Sequence, residues 1–204
     1  MNEKILIRQG AEANLYKSEY LGKDALIKER IPKSYRNAEL DSEIRKKRTK
    51  EEAQLLHNAK MLGVRTPLIY EIEREGSAII MEFIEGKRMK DALNGKNLNL
   101  CKLLGNKIGI LHANGIVHGD LTTSNIIIHN GAPTFIDFGL GFYSRKIEDF
   151  AVDLLNFKKT YNATHFNLPG GWELLLRGYM KESGARAKQV IKQVAEIEAR
   201  ARYL

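Results

Sequence analysis

The chain has a single cysteine, Cys101, in 204 residues. No internal disulfide is possible, and a reducing, intracellular setting fits. The opening stretch MNEKILIRQGAE lacks the long apolar core of a secretory signal peptide. No segment approaches the roughly 20 apolar residues that span a bilayer. Internal repeats and low-complexity tracts are missing as well. These absences lead us to expect a soluble cytoplasmic protein with no membrane partner. Acidic residues are in deficit: 33 Lys and Arg face 25 Asp and Glu, a net charge of +8. That excess favours an anionic partner, whether nucleic acid, nucleotide or an acidic protein face.

Two basic clusters are more pointed than the net charge. Arg45-Lys46-Lys47-Arg48 with Lys50 opens a predicted helix. Arg177, Lys181, Arg186, Lys188, Lys192, Arg200 and Arg202 mark the C-terminal region. A basic helix can follow a phosphate backbone. Little aromatic residue is interleaved with these charges, so stacking on single strands is not indicated.

The pattern of apolar residues divides the chain near Glu85. Residues 4–29 alternate as strands, with a turn at Tyr20–Asp24. Residues 39–62 read as a helix with Leu40, Ile44, Ala53, Leu55, Leu56, Ala59 and Leu62 as apolar positions and Gly63 as its C-cap. Thr66-Pro67 stops it, and residues 68–74 and 77–83 form a strand pair turning at Glu75-Gly76. Residues 84–88 read as a polar linker. Helical patterns follow at 89–94, 99–114, 147–160, 171–182 and 185–202. The last carries Val190, Val194, Ile197 and Ala201 on one side, as an interaction helix or a core helix would. The expectation is an α+β chain: a β-rich lobe with one helix over 1–84, and a mainly helical lobe over 85–204.

Residues 118–139 read HGDLTTSNIIIHNGAPTFIDFG. Asp120 sits in a His-Gly-Asp turn, Asn125 follows five residues later, and Asp137-Phe138-Gly139 closes the stretch. Protein kinases set a catalytic-loop Asp, a metal-binding Asn and a DFG Asp in this order and spacing. Ile126–Ile128 and Thr134–Ile136 suit two strands joined at His129-Asn130-Gly131. That hairpin would bring Asn125 and Asp137 to one end, close to Asp120. Each residue alone is an ordinary turn former; the ordered set points to Mg-ATP, which needs hard oxygen ligands for Mg²⁺ and a carboxylate beside the attacking oxygen.

Other positions fill the remaining roles of such a site. Lys28 ends the strand Ala-Leu-Ile-Lys, where a lysine would reach the α- and β-phosphates; alone it reads as an edge-strand lysine. Glu52 is the preferred carboxylate to hold it, one turn from Leu55 and Leu56, with Glu51 and Glu43 as rivals. Gly10, Ala11, Glu12 and Ala13 occupy the place of a phosphate loop, or of a simple hairpin turn. Glu82, Phe83 and Ile84 would form the hinge whose backbone meets adenine. His118 is expected to brace the DFG backbone. Asp153 either buttresses the catalytic loop or is an exposed helix residue.

The stretch departs from ordinary protein kinases in three ways. Gly119 stands where an Arg usually precedes the catalytic Asp, so control through a phosphorylated loop is not expected. Thr122 replaces the usual loop lysine. About ten residues separate Gly139 from the helix near Phe150, with no Ala-Pro-Glu. This short activation segment leaves no peptide-docking platform.

The whole pattern closely resembles the small atypical kinase/ATPase subunit of the KEOPS complex. That complex takes part in N6-threonylcarbamoyladenosine modification of tRNA. The resemblance is carried by Gln-Gly-Ala-Glu-Ala at 9–13, Ile-Lys-Glu-Arg-Ile-Pro-Lys-Ser-Tyr-Arg at 27–36, Leu-Asp at 40–41, and Arg48-Thr49 with Glu52-Ala53. It continues in HGDLTTSN at 118–125, IDFGLG at 136–141, Glu148-Asp149 with Ala151–Leu154, and Thr164-His165. Rio-type kinases share the His-Gly-Asp loop, but their metal motif usually lacks Phe-Gly.

The resemblance implies a minimal bilobal protein-kinase-like fold with ATP in the cleft. Lys28 and Glu52 would position the phosphates, Asn125 and Asp137 bind Mg²⁺, and Asp120 orient the attacking oxygen. It also implies a regulatory subunit on the smaller lobe and the threonylcarbamoyl transferase on the larger, with the basic clusters as candidates for tRNA contact. The family's basic tail is milder here, and some archaeal relatives are fused to the transferase. A free-standing Ser/Thr protein kinase and a non-enzymatic scaffold or tRNA-binding subunit are the alternative readings.

Overall fold

The computed structural model describes residues 4–73 and 77–200. It opens with β1 (Ile5–Gln9), β2 (Ala13–Tyr20) and β3 (Lys23–Arg30), followed by helix α1 (Ala38–Met61) and strands β4 (Ile69–Glu73) and β5 (Ala78–Glu82). The five strands make one antiparallel sheet in the order β1-β2-β3-β5-β4. Leu21 and Gly22 turn β2 into β3, both with positive φ, the twist that suits a two-residue hairpin. One face of the sheet packs on α1 through Leu55, Leu56, Ile79 and Met81. The other carries a smaller cluster of Ala25, Ile27, Ala78 and Ile80, beside a stacked Tyr20–Tyr70 pair.

Helix α1 has a capped start and stop. Asn37 accepts the Glu39 and Leu40 N–H groups at 3.0 and 3.2 Å, satisfying donors the first turn leaves open. After the C-cap Leu62, Gly63 has φ +76°, and Val64 N–H returns to Ala59 O at 3.0 Å, a glycine-terminated stop. The sequence assigned Leu40 to the apolar face, but it is exposed. It lies on the first turn, beyond the edge of the sheet packing that buries Ala53–Ala59.

The rest of the chain is mainly helical: β6 (Lys87–Arg88), α2 (Met89–Ala92), α3 (Leu100–Ala113), β7 (Ile116–Val117), β8 (Ile126–His129), β9 (Ala132–Phe135), β10 (Phe142–Tyr143), α4 (Ile147–Thr164) and α5 (Gly171–Arg200). Residues 84–88, read as a linker, contribute β6, which pairs with β8. Helix α5 kinks at Gly184, whose φ of 55° and ψ of −137° are not helical; the sequence split two helices at this point. Val190 and Val194 are buried, so the end of α5 is a core helix. The main apolar cluster runs continuously from Leu56 and Ile79 through Phe135 and Phe138 to Leu154 and Tyr179. The turn expected at Glu75-Gly76, together with Ala201 and Arg202, lies outside the described residues. No described helix is long and apolar enough to cross a membrane.

Candidate functional site

Strand β3 is central in the sheet, so its ends present residues to both α1 and the helical half. Lys28 Nζ lies 2.6 Å from Glu52 Oε1 and 2.7 Å from Asp137 Oδ1. The structure selects Glu52 over its rivals: Glu52 is buried, whereas Glu51 and Glu43 are exposed. Burial opposes the charge on Lys28, but the carboxylates of Glu52 and Asp137 outweigh it and raise its pKa. Burial would likewise lift Asp137; the Lys28 charge and hydrogen bond, with the Gly139 N–H at 2.9 Å, hold it below the usual carboxylate value instead.

The hairpin β8–β9 delivers the other two groups, and Ile136 N–H bonds back to Asn125 O at 3.1 Å. Asn125 Nδ2 donates to Asp120 Oδ2 at 2.8 Å and to Asp120 O at 3.0 Å. With the amide nitrogen so committed, its oxygen is the end left to meet a cation. Lys28, Asp120, Asn125 and Asp137 all line one hollow of about 280 Å³, together with the Gly10–Ala13 loop. A second hollow of about 180 Å³ is lined by Leu26, Glu82, Phe83, Ile84, Ile127 and Ile136. A larger one, about 560 Å³, lies by Asn114, Tyr143, Arg145 and Arg186. None of the carboxylates above reaches it, so chemistry rather than size locates the site.

The loop at 10–13 is both a turn and part of the cleft. Gly10 N–H bonds Ala13 O at 3.1 Å. Lys33 donates to Ala11 O, and Glu12 is met by Arg48 at 3.4 Å and Lys33 at 3.5 Å. At the hinge, Phe83 N–H bonds Asp24 O at 3.3 Å, and the Glu82 side chain accepts the Leu68 N–H at 3.0 Å. These two contacts tie the hinge to the neighbouring segments at Asp24 and Leu68.

The loop that carries Asp120 is held from behind. Asp153 on α4 is buried, accepting His118 N–H at 2.9 Å, Gly119 N–H at 3.0 Å and His112 Nε2 at 3.1 Å. It buttresses the loop, and the exposed-helix reading is excluded. His118 is buried with its ring 4.6 Å from that of Phe138, and its Nδ1 accepts the Asp120 N–H at 3.3 Å. Its brace on the DFG segment is a ring contact with Phe138; the sequence reading had placed it on the backbone. Burial lowers the His118 pKa.

Sequence reasoning missed two residues. Arg30 Nη2 takes the other oxygen of Glu52, Oε2, at 2.5 Å. His112, on the buried side of α3, joins Asp153 to Tyr179 at 3.1 Å on either side. The only available signal was Arg30's spacing of two from Lys28, which puts both on one face of a strand. The basic cluster on α1 is partly engaged: Arg45 pairs with Asp41 at 2.7 Å and Arg48 with Glu12, while Lys46 and Lys50 are exposed.

Comparison with known proteins follows the same lines. A RIO domain family model matches residues 17–147. The KEOPS complex subunit Bud32 of Pyrococcus abyssi is 42% identical over 97% of this chain and 96% of its own length. Two relatives named as probable bifunctional tRNA threonylcarbamoyladenosine biosynthesis proteins, from Methanothermobacter thermautotrophicus and Methanobrevibacter smithii, are 44% and 45% identical over 97% of this chain. The chain spans 36% of the length of each. A crystal structure of the Rio2 kinase–ADP/Mg²⁺–phosphoaspartate complex from Chaetomium thermophilum superposes with a TM-score of 0.67 at 15% identity, covering 97% of this chain and 70% of that one. The Phe-Gly after Asp137, which the sequence reading used to set the chain apart from Rio-type kinases, does not remove it from their domain family. The chain belongs to the RIO domain family and, within it, to the group that includes the Bud32 subunit.

Proposed function

We propose that this chain is a cytoplasmic, Mg-ATP-dependent atypical kinase/ATPase that supports N6-threonylcarbamoyladenosine modification of tRNA within a KEOPS-type complex. The observation that carries the reading is Lys28 Nζ bridging Glu52 and Asp137, with the Asp120–Asn125 pair lining the same hollow. In this reading residues 1–84 and 85–204 are the two lobes, with the nucleotide between them.

The residues present fit a magnesium nucleotide. Asp137 is 42% exposed and has one oxygen engaged by Lys28, and Asn125 has its amide nitrogen turned to Asp120. Two such oxygen ligands, completed by phosphates and water, suit Mg²⁺, which seldom takes an all-protein cage. When bound, Mg²⁺ would neutralise charge developing on the phosphates. Lys28, set by Glu52, would bind the α- and β-phosphates. Asp120, oriented by Asn125, would hold the attacking oxygen and take its proton: water in hydrolysis, a Ser or Thr hydroxyl in phosphotransfer. The 10–13 loop would cover the phosphates. The slot lined by Leu26, Phe83, Ile127 and Ile136 would take the adenine, with Ile84 N–H as the hinge donor, since Phe83 N–H is engaged in the sheet.

The short segment between Gly139 and α4 leaves no platform for a peptide and favours ATP hydrolysis over general protein phosphorylation. The partners in this reading are the transferase on the helical lobe and a small regulatory subunit on the sheet lobe. Exposed Lys46 and Lys50 are candidates for tRNA contact. The test is γ-labelled ATP with Mg²⁺, alone and with transferase and tRNA, separating free phosphate from phosphoprotein. Free phosphate released mainly with both additions is the expected result. Label on protein, indifferent to both, favours a free-standing Ser/Thr protein kinase. No turnover under any condition leaves a scaffold or tRNA-binding subunit.

A further inference from the structure

The Gly10–Ala13 loop, which would cover the phosphates, carries a carboxylate. Glu12 lines the hollow with Lys28, Asp120, Asn125 and Asp137, and its side chain is 56% exposed. A carboxylate there repels phosphate. The loop does not need it for its own shape, because the main chain is held without the Glu12 side chain. Ile31 N–H bonds Glu12 O at 3.3 Å and Gly10 N–H bonds Ala13 O at 3.1 Å, and Lys33 Nζ donates to Ala11 O.

The Glu12 carboxylate is met instead by two cations, Arg48 Nη1 at 3.4 Å and Lys33 Nζ at 3.5 Å. Arg48 stands four residues before Glu52, one turn away on the same face of α1, and it also lines the hollow. Lys28 and Arg30 line it too, but both are committed to short, buried contacts. Lys28 lies between Glu52 and Asp137 at 2.6 and 2.7 Å, and Arg30 holds Glu52 at 2.5 Å. Arg48 is bound differently: its partner is exposed and distant, and its own side chain is 39% exposed. Exposed ion pairs contribute little to stability, so Arg48 can exchange its anion at small cost while Lys28 stays on Glu52.

We infer that Arg48 binds the terminal phosphate of ATP, and that Glu12 stands in for that phosphate before the nucleotide arrives. The incoming phosphate takes Arg48 from Glu12, and Lys33 remains beside the released carboxylate. The inference rests on the Mg-ATP reading above and adds to it a means of telling ATP from ADP. It requires effects of opposite sign at the two ends of one ion pair. Removing the Glu12 charge frees Arg48 and favours ATP; removing the Arg48 charge disfavours ATP. A pair that only pinned the loop to α1 would give the same sign at both ends.

The experiment measures, by calorimetry with Mg²⁺, the affinities of the full chain, Glu12→Gln and Arg48→Gln for the non-hydrolysable β,γ-imido analogue of ATP, for ADP and for adenosine. We expect Arg48→Gln to weaken the ATP analogue by about tenfold, the loss of a charge-assisted contact, and ADP by less than about twofold. Glu12→Gln should tighten the ATP analogue by about threefold relative to ADP. Adenosine affinity should be the same in all three proteins. Unchanged affinity for the ATP analogue in Arg48→Gln overturns the inference. So does a parallel change in ADP or adenosine in either variant, or no gain for the ATP analogue in Glu12→Gln. If Arg48→Gln does not fold, Glu12→Gln decides: a gain for the ATP analogue over ADP supports the inference, and an equal or lower affinity overturns it. A natural chain that binds neither the ATP analogue nor ADP overturns the nucleotide reading, whereas one that binds both, with Arg48→Gln unaffected, overturns only the role of Arg48.

Discussion

The carboxylate of Asp153, on α4, receives the Gly119 N–H at 3.0 Å from the loop that carries Asp120. The same carboxylate takes His118 N–H and His112 Nε2. Three donors in a buried place depend on one side chain, and leaving them unpaired costs more than a hydrogen bond contributes. Asp153→Ala is expected to destabilise the fold by about 3 kcal/mol or more. Asp153→Asn, which keeps one acceptor, should cost about half of that. Urea unfolding of both variants measures it, and wild-type stability in Asp153→Ala would show that the loop does not lean on α4.

Gly119 answers why this loop has no arginine before Asp120. Its φ is +81°, and a Cβ there would lie 2.0 Å from Leu140 O. No L side chain fits without moving the segment after the DFG. Gly119→Ala should lose about 2–3 kcal/mol from strain and displacement, and should also lower turnover, because Asp120 is the next residue. Restoring the arginine of ordinary protein kinases should be worse than alanine. Denaturation midpoints and ATP turnover of the two variants test the order.

The site was legible wherever local spacing carries geometry. The His-Gly-Asp, Asn and DFG order is local, and the hairpin β8–β9 that folds it together has its turn in Asn130-Gly131. Glu52 could be chosen because it lies one turn from Leu55 and Leu56. Arg30 could not, since an arginine two residues past a lysine on a strand also reads as a solvent-facing alternation; only the approach of β3 to α1 makes it a partner. His112 and Asp153 are 41 positions apart and meet through tertiary packing. Strands β6, β7 and β10 have two residues each, too short for a period to register, and their pairing is set by the helices around them.

Stability should fall in acid in two stages. Burial lowers the pKa of His118 from 6.5 and that of His165 likewise. Each is neutral when folded and protonates more readily when unfolded. Their contribution is therefore present above about pH 6.5 and lost as pH falls toward the folded values. The pKa values of Asp137 and Asp153 are held below 3.8, so their contribution is present above about pH 4 and lost below it. The raised pKa of Lys28 works in the opposite sense: its contribution holds below 10.5 and disappears as pH climbs through the folded value. Tm measured from pH 3 to 11 should rise to a plateau between these limits. His165→Gln should shrink the first acid step to the part His118 contributes and leave the second; an unchanged profile would show that His165 does not titrate with folding.

Asp137 and Asn125 should separate metal use from fold. Asp137 is 42% exposed, so water can replace its carboxylate on the Gly139 N–H, and Lys28 keeps Glu52 at 2.6 Å. Asp137→Ala should thus cost only about 1 kcal/mol while abolishing ATP turnover. Asn125→Ala removes the second oxygen ligand and frees Asp120 from the amide at 2.8 Å. It should retain some turnover but need about tenfold more Mg²⁺ for half-maximal rate, since one neutral ligand is lost and the carboxylate remains. A magnesium titration of turnover for the natural chain and both variants, run beside thermal melts, distinguishes the two roles. Turnover retained in Asp137→Ala would remove Asp137 from the metal site. An unchanged magnesium requirement in Asn125→Ala would leave that residue as a brace for Asp120 alone.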